Sequence, residues 1–282
     1  MDSKPHITNN ITPLSELPLS NNFMFGEVMR HPEVSKLFLE ALLNKKIARI
    51  EYIGKEQDFS DSYLNHGIRL DVYLEDAAGM RYDVEMQRTD QKALERRIRY
   101  YQSGIDRSFL EKGDDYENLP ESYVIFICDF DYFRHGYARY ERVSYVNGEE
   151  NIPYNDGSHA IILNSHFTTP NAGKDIIEFL DYIRTANDNL PADSALVAKA
   201  KEFVSMVRHD KSKEVPYMTW AMSLRDARKE GREEGREEGV LVERKRNIKR
   251  LLENNYSVDQ IVALLGYSRE EVNEIVKKSL SM

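Results

Sequence analysis

The feature that most constrains this chain is the predicted β-hairpin of residues 69–87. Apolar and polar residues alternate in both arms, with the period of two that a half-buried strand requires. Ala77-Ala78-Gly79 separates the arms, and glycine readily adopts the positive φ with which three-residue hairpin loops usually end. The register set by this loop places Asp71 opposite Glu85. The sequence therefore predicts two carboxylates side by side on one face of a sheet.

The same register also places Asp76 opposite Met80 and Tyr73 opposite Asp83. Two facing carboxylates repel each other and weaken a sheet. Three arrangements relieve this repulsion: a cation between them, a proton on one of them, or exposure to water at an ordinary solvated strand end. Carboxylate oxygens are hard ligands that suit magnesium, manganese or calcium. The hairpin residues alone leave these alternatives open.

Composition predicts a soluble globular protein with no membrane partner. The 282 residues suffice for one sizeable domain and a smaller appendage, and 41% of them are hydrophobic and 31% charged. No apolar run reaches the roughly 20 residues of a membrane span, and the N-terminal residues lack the apolar segment of a secretory signal. Cys128, the single cysteine, lies in an apolar run and is expected to be a buried strand thiol. These features predict a cytoplasmic protein.

Residues 18–168 are predicted to form an α/β core, in which a mixed sheet is flanked by helices. Hydrophobic periodicity indicates a helix, three strands, a helix and a strand, in that order. The strand after the second helix is apolar on both faces, which indicates a central position in the sheet. The predicted elements around the hairpin are helices at 22–44 (with a break at His31-Pro32) and 90–111, and strands at 47–60, 123–129, 137–146 and 159–164.

Outside this core, residues 1–17 are predicted to be a flexible arm and the C-terminal part is predicted to be all-α. Residues 169–226 form a helical extension that breaks at 187–191. Residues 227–282 begin in a charged helix whose glycines recur every four residues. Such a stripe has two interpretations. It permits close approach of another helix, or it belongs to a solvated low-complexity helix, in which each glycine costs up to about 1 kcal/mol of helix stability relative to alanine.

The last residues predict a helix-turn-helix-like segment. Ser257 and Ser268 each begin a capping-box pattern, which marks the start of a helix. In a DNA-reading version the second helix would enter the major groove. Its first residues would repel phosphate, because they include Glu270, Glu271 and Glu274. Packing or homo-oligomerisation through the C-terminal helices is therefore favoured over DNA reading.

The net charge of −9 disfavours a protein coated with nonspecific nucleic-acid contacts, but one segment is basic. Residues 88–107 contain six Arg or Lys against three acids, a local net charge of +3. Lys92, Arg96 and Arg99 are spaced to share one face of the predicted helix. Such a face suits a phosphodiester backbone that passes the paired acids. The alternative is an ordinary solvated amphipathic helix.

Four motifs in order resemble one known family. They are Leu19-Ser-Asn-Asn22-Phe-Met-Phe25, Gly67-Ile-Arg-Leu-Asp71-Val-Tyr, Val84-Glu85-Met-Gln87 and Arg97-x-Arg99-Tyr-Tyr-Gln102. In these motifs, and over most of residues 18–165, the chain resembles the bacterial recombination-promoting nucleases, also described as PD-(D/E)XK family transposases. The resemblance implies a restriction-endonuclease-like core with α-β-β-β-α-β order and an all-α C-terminal extension.

The resemblance also implies metal-dependent hydrolysis of DNA phosphodiester bonds, in recombination or mobile-element biology. Asp71, Glu85 and Gln87 would be the catalytic residues. Asp71, Glu85 and the backbone carbonyl of Met86 would ligate Mg²⁺, with Mn²⁺ or Ca²⁺ as alternatives. DNA would be the partner, and the residues expected to contact it are Lys92, Arg96, Arg99, Tyr101 and Gln102.

The sequence departs from the family pattern at two positions. Gln87 stands in the place of the generic motif's lysine, so positive charge would have to come from Arg88 or Lys92. Asn22 stands where relatives often have Asp, and Glu27, about one helical turn further on, is expected to substitute for it. Asn22, Glu27 and Arg88 are therefore predicted to be accessory residues of the site.

Two alternatives to an active nuclease stay open. The departures fit a catalytically weakened nuclease fold that acts as a DNA-binding or assembly module. The function could instead reside in residues 217–282 as an interaction module. Asp129 and Asp131, which follow the central strand, are interpreted as an ordinary solvated strand end.

Overall fold

The structure is a computed structural model that describes residues 11–52, 71–110, 112–148 and 150–280, without the side chains of residues 278–280. Three predicted features lie wholly or partly outside these ranges. They are most of the N-terminal arm, residues 53–60 of the predicted strand, and the first residues of the hairpin.

Two α-helices precede the sheet. Helix α1 spans Asn22–Met29, and the Asn21 side chain caps it by accepting two backbone N–H groups of the first turn. Helix α2 spans Pro32–Leu43 and has proline in its first turn, where a backbone N–H would lack a helical partner anyway. The predicted break at His31-Pro32 is confirmed.

A six-stranded mixed sheet lies at the centre of this part of the chain. Its strands are β1 (Ile50–Tyr52), β2 (Val72–Asp76), β3 (Arg81–Gln87), β4 (Ser122–Cys128), β5 (Arg139–Glu141) and β8 (Ser158–Asn164). They lie side by side in the order β1-β2-β3-β4-β8-β5. The central strands β3, β4 and β8 are parallel, and the other pairings are antiparallel. Strands β6 (Tyr145–Val146) and β7 (Ile152–Pro153) form a separate two-stranded ribbon.

The hairpin of β2 and β3 has the predicted register. The backbone N–H of Asp76 donates to the carbonyl oxygen of Met80 at 3.1 Å, and Tyr73 pairs with Asp83. Gly79 closes the loop with a φ of 82°, a backbone conformation that L residues with a side chain rarely adopt. A three-residue loop therefore fixes which residues of the two strands face each other.

The expectation that this hairpin is half buried is wrong for β3. Its residues from Tyr82 to Gln87 are all buried, the charged ones included. The physical reason is the strand's position inside the sheet, with helices on both faces. Helix α3 (Leu94–Phe109) covers the face that carries Asp83, where its Ile98 and Ile105 belong to the same apolar cluster as Phe126 of β4. Helix α1 contacts β3 as well.

Helix α3 begins later than the predicted Asp90. Ala93 precedes it with a φ of 69°, a left-handed conformation that a right-handed helix cannot include. Residues 90–93 are therefore not helical, and Lys92 lies before the helix. The helix ends at Phe109, and Leu110 is extended.

The chain divides into two compact units, Met1–Tyr217 and Met218–Met282. In the first, α4 (Lys174–Thr185) and α5 (Ala195–His209) pack against α2, and α5 also contacts α1. The predicted boundary between residues 168 and 169 has no counterpart in this division. Sequence composition changes there, but the apolar faces of α4 and α5 are buried against the helices of the core.

The second unit is helical, as expected. It contains most of α6 (Glu214–Glu253), together with α7 (Val258–Leu265) and α8 (Arg269–Leu280). Its small core brings together one residue of α6, one of α7 and two of α8, namely Ile248, Ile261, Val272 and Ile275. Both predicted capping boxes are present, since Ser257 and Gln260 bond reciprocally, as do Ser268 and Glu271.

The regularly spaced glycines of α6 face open space. A methyl group added at Gly231, Gly235 or Gly239 would meet no atom of the described residues within 4 Å. The stripe therefore has no helical partner within the described chain, as in the solvated-helix interpretation. Among the described helices, none combines the length and the apolar character that a bilayer span needs.

Candidate active site

The predicted proximity of Asp71 and Glu85 is confirmed. The backbone N–H of Asp71 donates to Oε1 of Glu85 at 2.7 Å. In return, Oδ2 of Asp71 accepts the backbone N–H of Met86 at 3.3 Å. These reciprocal bonds hold the two acids together beside the first residue of β2.

The pair is not an ordinary wet strand end, because Glu85 is buried. Only 4% of Glu85 is exposed to solvent, whereas Asp71 is partly exposed. Burial raises the pKa of the Glu85 carboxyl well above its usual value, and the charges of Asp71 and Asp83 raise it further. Two of the three predicted arrangements remain: a cation held between the acids, or a proton retained by one of them.

Asp83 is a third acid of the site that sequence reasoning missed. Its side chain is fully buried, and neither carboxylate oxygen has a hydrogen-bond partner among the described residues. Burial raises the pKa of Asp83 well above its usual value and the charge of Asp71 adds to this, while contact with Glu85 and the charge of Arg97 oppose the rise. The signal was available, because residues 83 and 85 share one face of a strand.

Gln87 is held at both ends of its amide. Its Nε2 donates to the backbone carbonyl of Thr89 at 2.6 Å, and its Oε1 accepts from Nη1 of Arg97 at 2.7 Å. The cation that contacts Gln87 is therefore Arg97, which was predicted only as part of a family motif. Arg88 and Lys92, from which this charge was expected, are exposed.

Arg97 lies on the side of α3 that faces the sheet. Its guanidinium lies over the rings of Tyr101 and Phe126, at 5.5 Å and 5.1 Å from their centroids. Nη2 also donates to the Tyr101 hydroxyl at 3.1 Å. Burial, followed by the charge of Glu85, raises the pKa of Tyr101 to about 12. Tyr101 therefore belongs to the wall of the acid site and stays protonated at neutral pH.

The residues predicted to contact DNA divide into two groups. Lys92, Arg96 and Arg99 are exposed, although only the two arginines lie on α3. The predicted DNA contact of Gln102 is wrong, because this side chain is buried and its amide donates to the Ser122 hydroxyl. The physical reason is the helical repeat, because position 102 falls on the face of α3 that packs against the sheet.

Asn22 contacts the predicted metal ligand directly. Its Nδ2 donates to the backbone carbonyl oxygen of Met86 at 3.0 Å. A carbonyl oxygen has two lone pairs, so this hydrogen bond by itself does not prevent the oxygen from ligating a metal ion. An Asp at position 22 has no such donor and would face the same carbonyl with a negative charge. Asn22 thus contributes a hydrogen-bond donor where an Asp would contribute a charged oxygen.

Glu27 is committed to cations of the protein. Its carboxylate accepts from Nζ of Lys213 at 2.5 Å and lies 3.5 Å from Nη1 of Arg30. Arg30 in turn donates to the backbone carbonyl of Asp71 at 3.3 Å. Because two positive charges already neutralise it, Glu27 is a poor substitute for a metal-binding Asp. Its ion pairs instead support the backbone at Asp71.

The strand end after β4 serves the fold. Asp131 accepts the backbone N–H groups of Arg134 and Gly136 and thereby organises the following loop. Asp129 accepts from the Ser165 hydroxyl at 3.0 Å and lies 3.2 Å from Nε2 of His166. These contacts tie the ends of β4 and β8 together.

The donor set at the hairpin fits a hard divalent cation. Among the described residues, no three His, Cys, Asp or Glu side chains form a group that would hold a metal by itself. Mg²⁺ does not need such a cage, because it keeps several waters and is commonly bound through one or two carboxylates. Asp71, Glu85 and the Met86 carbonyl offer two carboxylates and a neutral oxygen. The unpartnered oxygens of Asp83 add negative potential beside them.

Comparison with protein families decides the relationship. A family model described as PD-(D/E)XK nuclease family transposase matches residues 22–230. The chain belongs to this family. The matched range begins at Asn22 and includes every acid of the site, and it ends before α7 and α8. No curated protein and no solved structure matches the chain.

Membership of the PD-(D/E)XK nuclease family transposases confirms the predicted relationship. It indicates a nuclease-associated role, with DNA as the class of substrate and divalent metals as the usual cofactors of such nucleases. The described structure agrees at the level of architecture, with a six-stranded mixed sheet between helices and a helical C-terminal part.

Proposed function

We propose that this protein is a metal-dependent DNA endonuclease with a restriction-endonuclease-like core, which acts in recombination or on mobile elements. The observation that carries the proposal is a group of three acids in a chain of this family: the hairpin buries Asp83 and Glu85 beside the partly exposed Asp71. The succession α2, β1, β2, β3, α3, β4 supports the α-β-β-β-α-β order of such cores. A fold retains buried, mutually repelling acids at a cost in stability, which a functional cation offsets.

Asp71, Glu85 and the backbone carbonyl of Met86 are the residues that would hold the cation, with Mg²⁺ the first choice and Mn²⁺ or Ca²⁺ as alternatives. A bound divalent ion would lower the pKa of a water molecule and neutralise charge on the phosphate oxygens. Hydrogen bonds within the protein orient these oxygen ligands before an ion binds. The N–H of Asp71 orients the Glu85 carboxylate, and the Asn22 amide orients the carbonyl.

Gln87 has a defined part in this arrangement. Its Nε2 carries two hydrogens, of which Thr89 accepts one. The second remains to orient a water molecule against the phosphate. Because Arg97 and Thr89 fix the amide at both ends, this donor points in one direction only. Such preorganisation is the condition under which a hydrogen bond contributes to catalysis.

DNA is proposed to approach along the exposed basic residues before and on α3. Lys92, Arg96 and Arg99 are exposed and follow directly after the strand that carries Glu85. With a net charge of −9 on the whole chain, binding would be confined to this surface. Contacts of this kind neutralise phosphates and position the backbone without reading sequence.

A supercoiled-plasmid assay tests the proposal. The wild-type protein is expected to nick plasmid with Mg²⁺ or Mn²⁺ and to be inactive with EDTA. Asp71→Asn and Glu85→Gln keep the size of each side chain and remove its charge, and each should reduce the rate by about a hundredfold or more. Glu234→Gln, at an exposed position of α6, is the matched control and should cleave normally. Equal nicking by all four proteins would contradict the proposal.

A second function, a catalytically weakened nuclease fold that binds DNA or assembles complexes, is favoured by one observation. Asn22 already hydrogen-bonds the carbonyl that would otherwise be a free metal ligand. Calorimetric titration with Mg²⁺ and Mn²⁺ in the presence of DNA separates the two functions. Binding of neither metal, together with retained DNA binding, would favour the weakened form. Asn22→Asp would then be expected to restore metal binding.

A further inference from the structure

We infer that Arg97 is a catalytic residue of this nuclease, and that its guanidinium contacts the scissile phosphate and supplies the positive charge missing at position 87. The inference rests on the proposed function and adds a residue to its site. Three features of the described residues support it: the placement of Arg97, its unused donors, and its contact with the strand that carries the acids.

The placement of Arg97 differs from that of its neighbours on α3. Arg96 and Arg99 are exposed, whereas Arg97 is half buried. Its guanidinium lies against the rings of Tyr101 and Phe126, and aromatic faces stabilise a cation that has lost part of its water. The helix therefore directs one arginine toward the acids and the others toward solvent.

The hydrogen bonds of Arg97 leave part of its donor capacity unused. A guanidinium carries five N–H donors. Within the described residues, Nη1 donates to Gln87 and Gln91, and Nη2 donates once to Tyr101. One hydrogen of Nη2 and the Nε hydrogen are left over. Two adjacent donors of this kind match the geometry of two phosphate oxygens.

Arg97 reaches the strand that carries the acids. Its Nη1 donates to Oε1 of Gln87 at 2.7 Å, and positions 83, 85 and 87 share one face of β3. A cation at this position is also close to a phosphate bound at the acids. In a site with little water, its attraction for developing negative charge is stronger than at the surface.

Glutamine at position 87 is compatible with an arginine at position 97, whereas lysine is not. The Oε1 of Gln87 accepts a hydrogen bond from the guanidinium, which a lysine at position 87 cannot do because an ammonium group has no acceptor. A lysine there would also repel Arg97. The exchange of lysine for glutamine on the strand therefore fits a site in which the cation comes from the helix.

A charge-exchange experiment tests the inference. Arg97→Gln is expected to lower kcat for plasmid nicking by about a hundredfold, with the Kd for DNA in Ca²⁺ changed less than about threefold. The double variant Gln87→Lys/Arg97→Gln places a cation on the strand again and should recover about tenfold of this loss. Arg232→Gln, at an exposed position of α6, is the matched control and should leave kcat and KM unchanged, whereas Arg96→Gln and Arg99→Gln should raise KM.

Calorimetry provides a readout besides activity. Removing a cation beside the acids should tighten Mg²⁺ binding by Arg97→Gln several-fold, whereas Arg232→Gln should bind Mg²⁺ like wild type. A purely structural role for Arg97 predicts a lower unfolding temperature, no tightening and no rescue by the double variant. That combination would overturn the inference.

The outcomes also separate the inference from the proposed function. Suppose that wild type cleaves, that Asp71→Asn does not, and that Arg97→Gln retains kcat within about threefold of wild type. The proposed nuclease function is then supported, and the catalytic role of Arg97 is contradicted. If wild type fails to cleave with any divalent metal, the proposed function falls. An unchanged Mg²⁺ affinity in Arg97→Gln would then overturn the inference as well.

Discussion

The acid site and the charged tract of α6 contain the same kinds of side chain in opposite surroundings. At the site, Asp83 and Glu85 are buried among apolar neighbours, and their pKa values are raised. In α6, acids and arginines alternate over residues 228–239 and all are exposed. There, Lys229 and Glu233 lie 4.0 Å apart in water, an ion pair worth a few tenths of a kcal/mol. Charge density alone thus does not make a site; removal of water around the charges does.

The largest expected difference between the two regions concerns packing at the site. Phe126 is fully buried and contacts both Arg97 and Tyr101, whereas Leu241 of α6 is 46% exposed. Phe126→Ala should lower the free energy of unfolding by about 3–5 kcal/mol, because it leaves a cavity. Leu241→Ala should change it by about 0.5 kcal/mol or less. Urea unfolding followed by circular dichroism measures both changes. Similar losses of stability in the two variants would contradict the expected difference between the two regions.

The next effect depends on pH. Asp83 has an ordinary pKa of 3.8, and its raised pKa in the folded protein means that folding favours the protonated form. This stabilisation is complete below the ordinary pKa and is lost as the pH rises through the raised value. Asp83→Asn carries no charge, so it should stabilise the metal-free protein by about 1–3 kcal/mol at pH 8 and little at pH 4.

Unfolding in urea at both pH values checks this effect, with Glu233→Gln of α6 as the control. Glu233 is exposed, so its replacement should have the same small effect at each pH. A gain for Asp83→Asn that is equal at pH 4 and pH 8 would show that the burial of this acid has no electrostatic cost.

A smaller effect concerns DNA affinity. The double variant Arg96→Gln/Arg99→Gln should weaken DNA binding about tenfold and reduce the slope of log K against log salt by about two, one for each lost phosphate contact. Arg232→Gln/Arg236→Gln removes the same charge from exposed positions of α6 and should leave both quantities unchanged. Fluorescence anisotropy at several salt concentrations measures them. Equal losses of affinity in the two double variants would show that DNA binding is not confined to α3.

The smallest effect concerns glycine. Gly235→Ala should stabilise α6 by about 1 kcal/mol or less, because the position is helical and open. Gly136→Ala should destabilise the first unit, because Gly136 has a φ of 75° and an added Cβ would overlap Oγ1 of Thr168. Thermal unfolding should therefore shift in opposite directions. A loss of stability in Gly235→Ala would indicate that the stripe packs against a partner.

Local patterns in the sequence predicted most elements of the first unit. The alternation of β2 and β3 and the glycine of their loop suffice to place Asp71 beside Glu85, since hairpin register depends on neighbouring residues only. The start of α3 was not predictable in this way. Ala93 is a good helix former, yet it is left-handed. The next residue, Leu94, is buried and donates its backbone N–H to the Tyr132 hydroxyl, a contact between residues distant in the chain.

The sequence by itself determined the family, the hairpin register, the proximity of Asp71 and Glu85, and the capped helices near the C-terminus. Each of these depends on residues that are close in the chain or on a motif with fixed spacing. Only the tertiary structure decided that Asp83 is buried, that Gln102 faces the sheet, and that Arg97 rather than Lys92 reaches Gln87. These outcomes depend on how α3 is rotated about its axis against β3 and β4, which is settled by the packing of apolar side chains from distant parts of the chain.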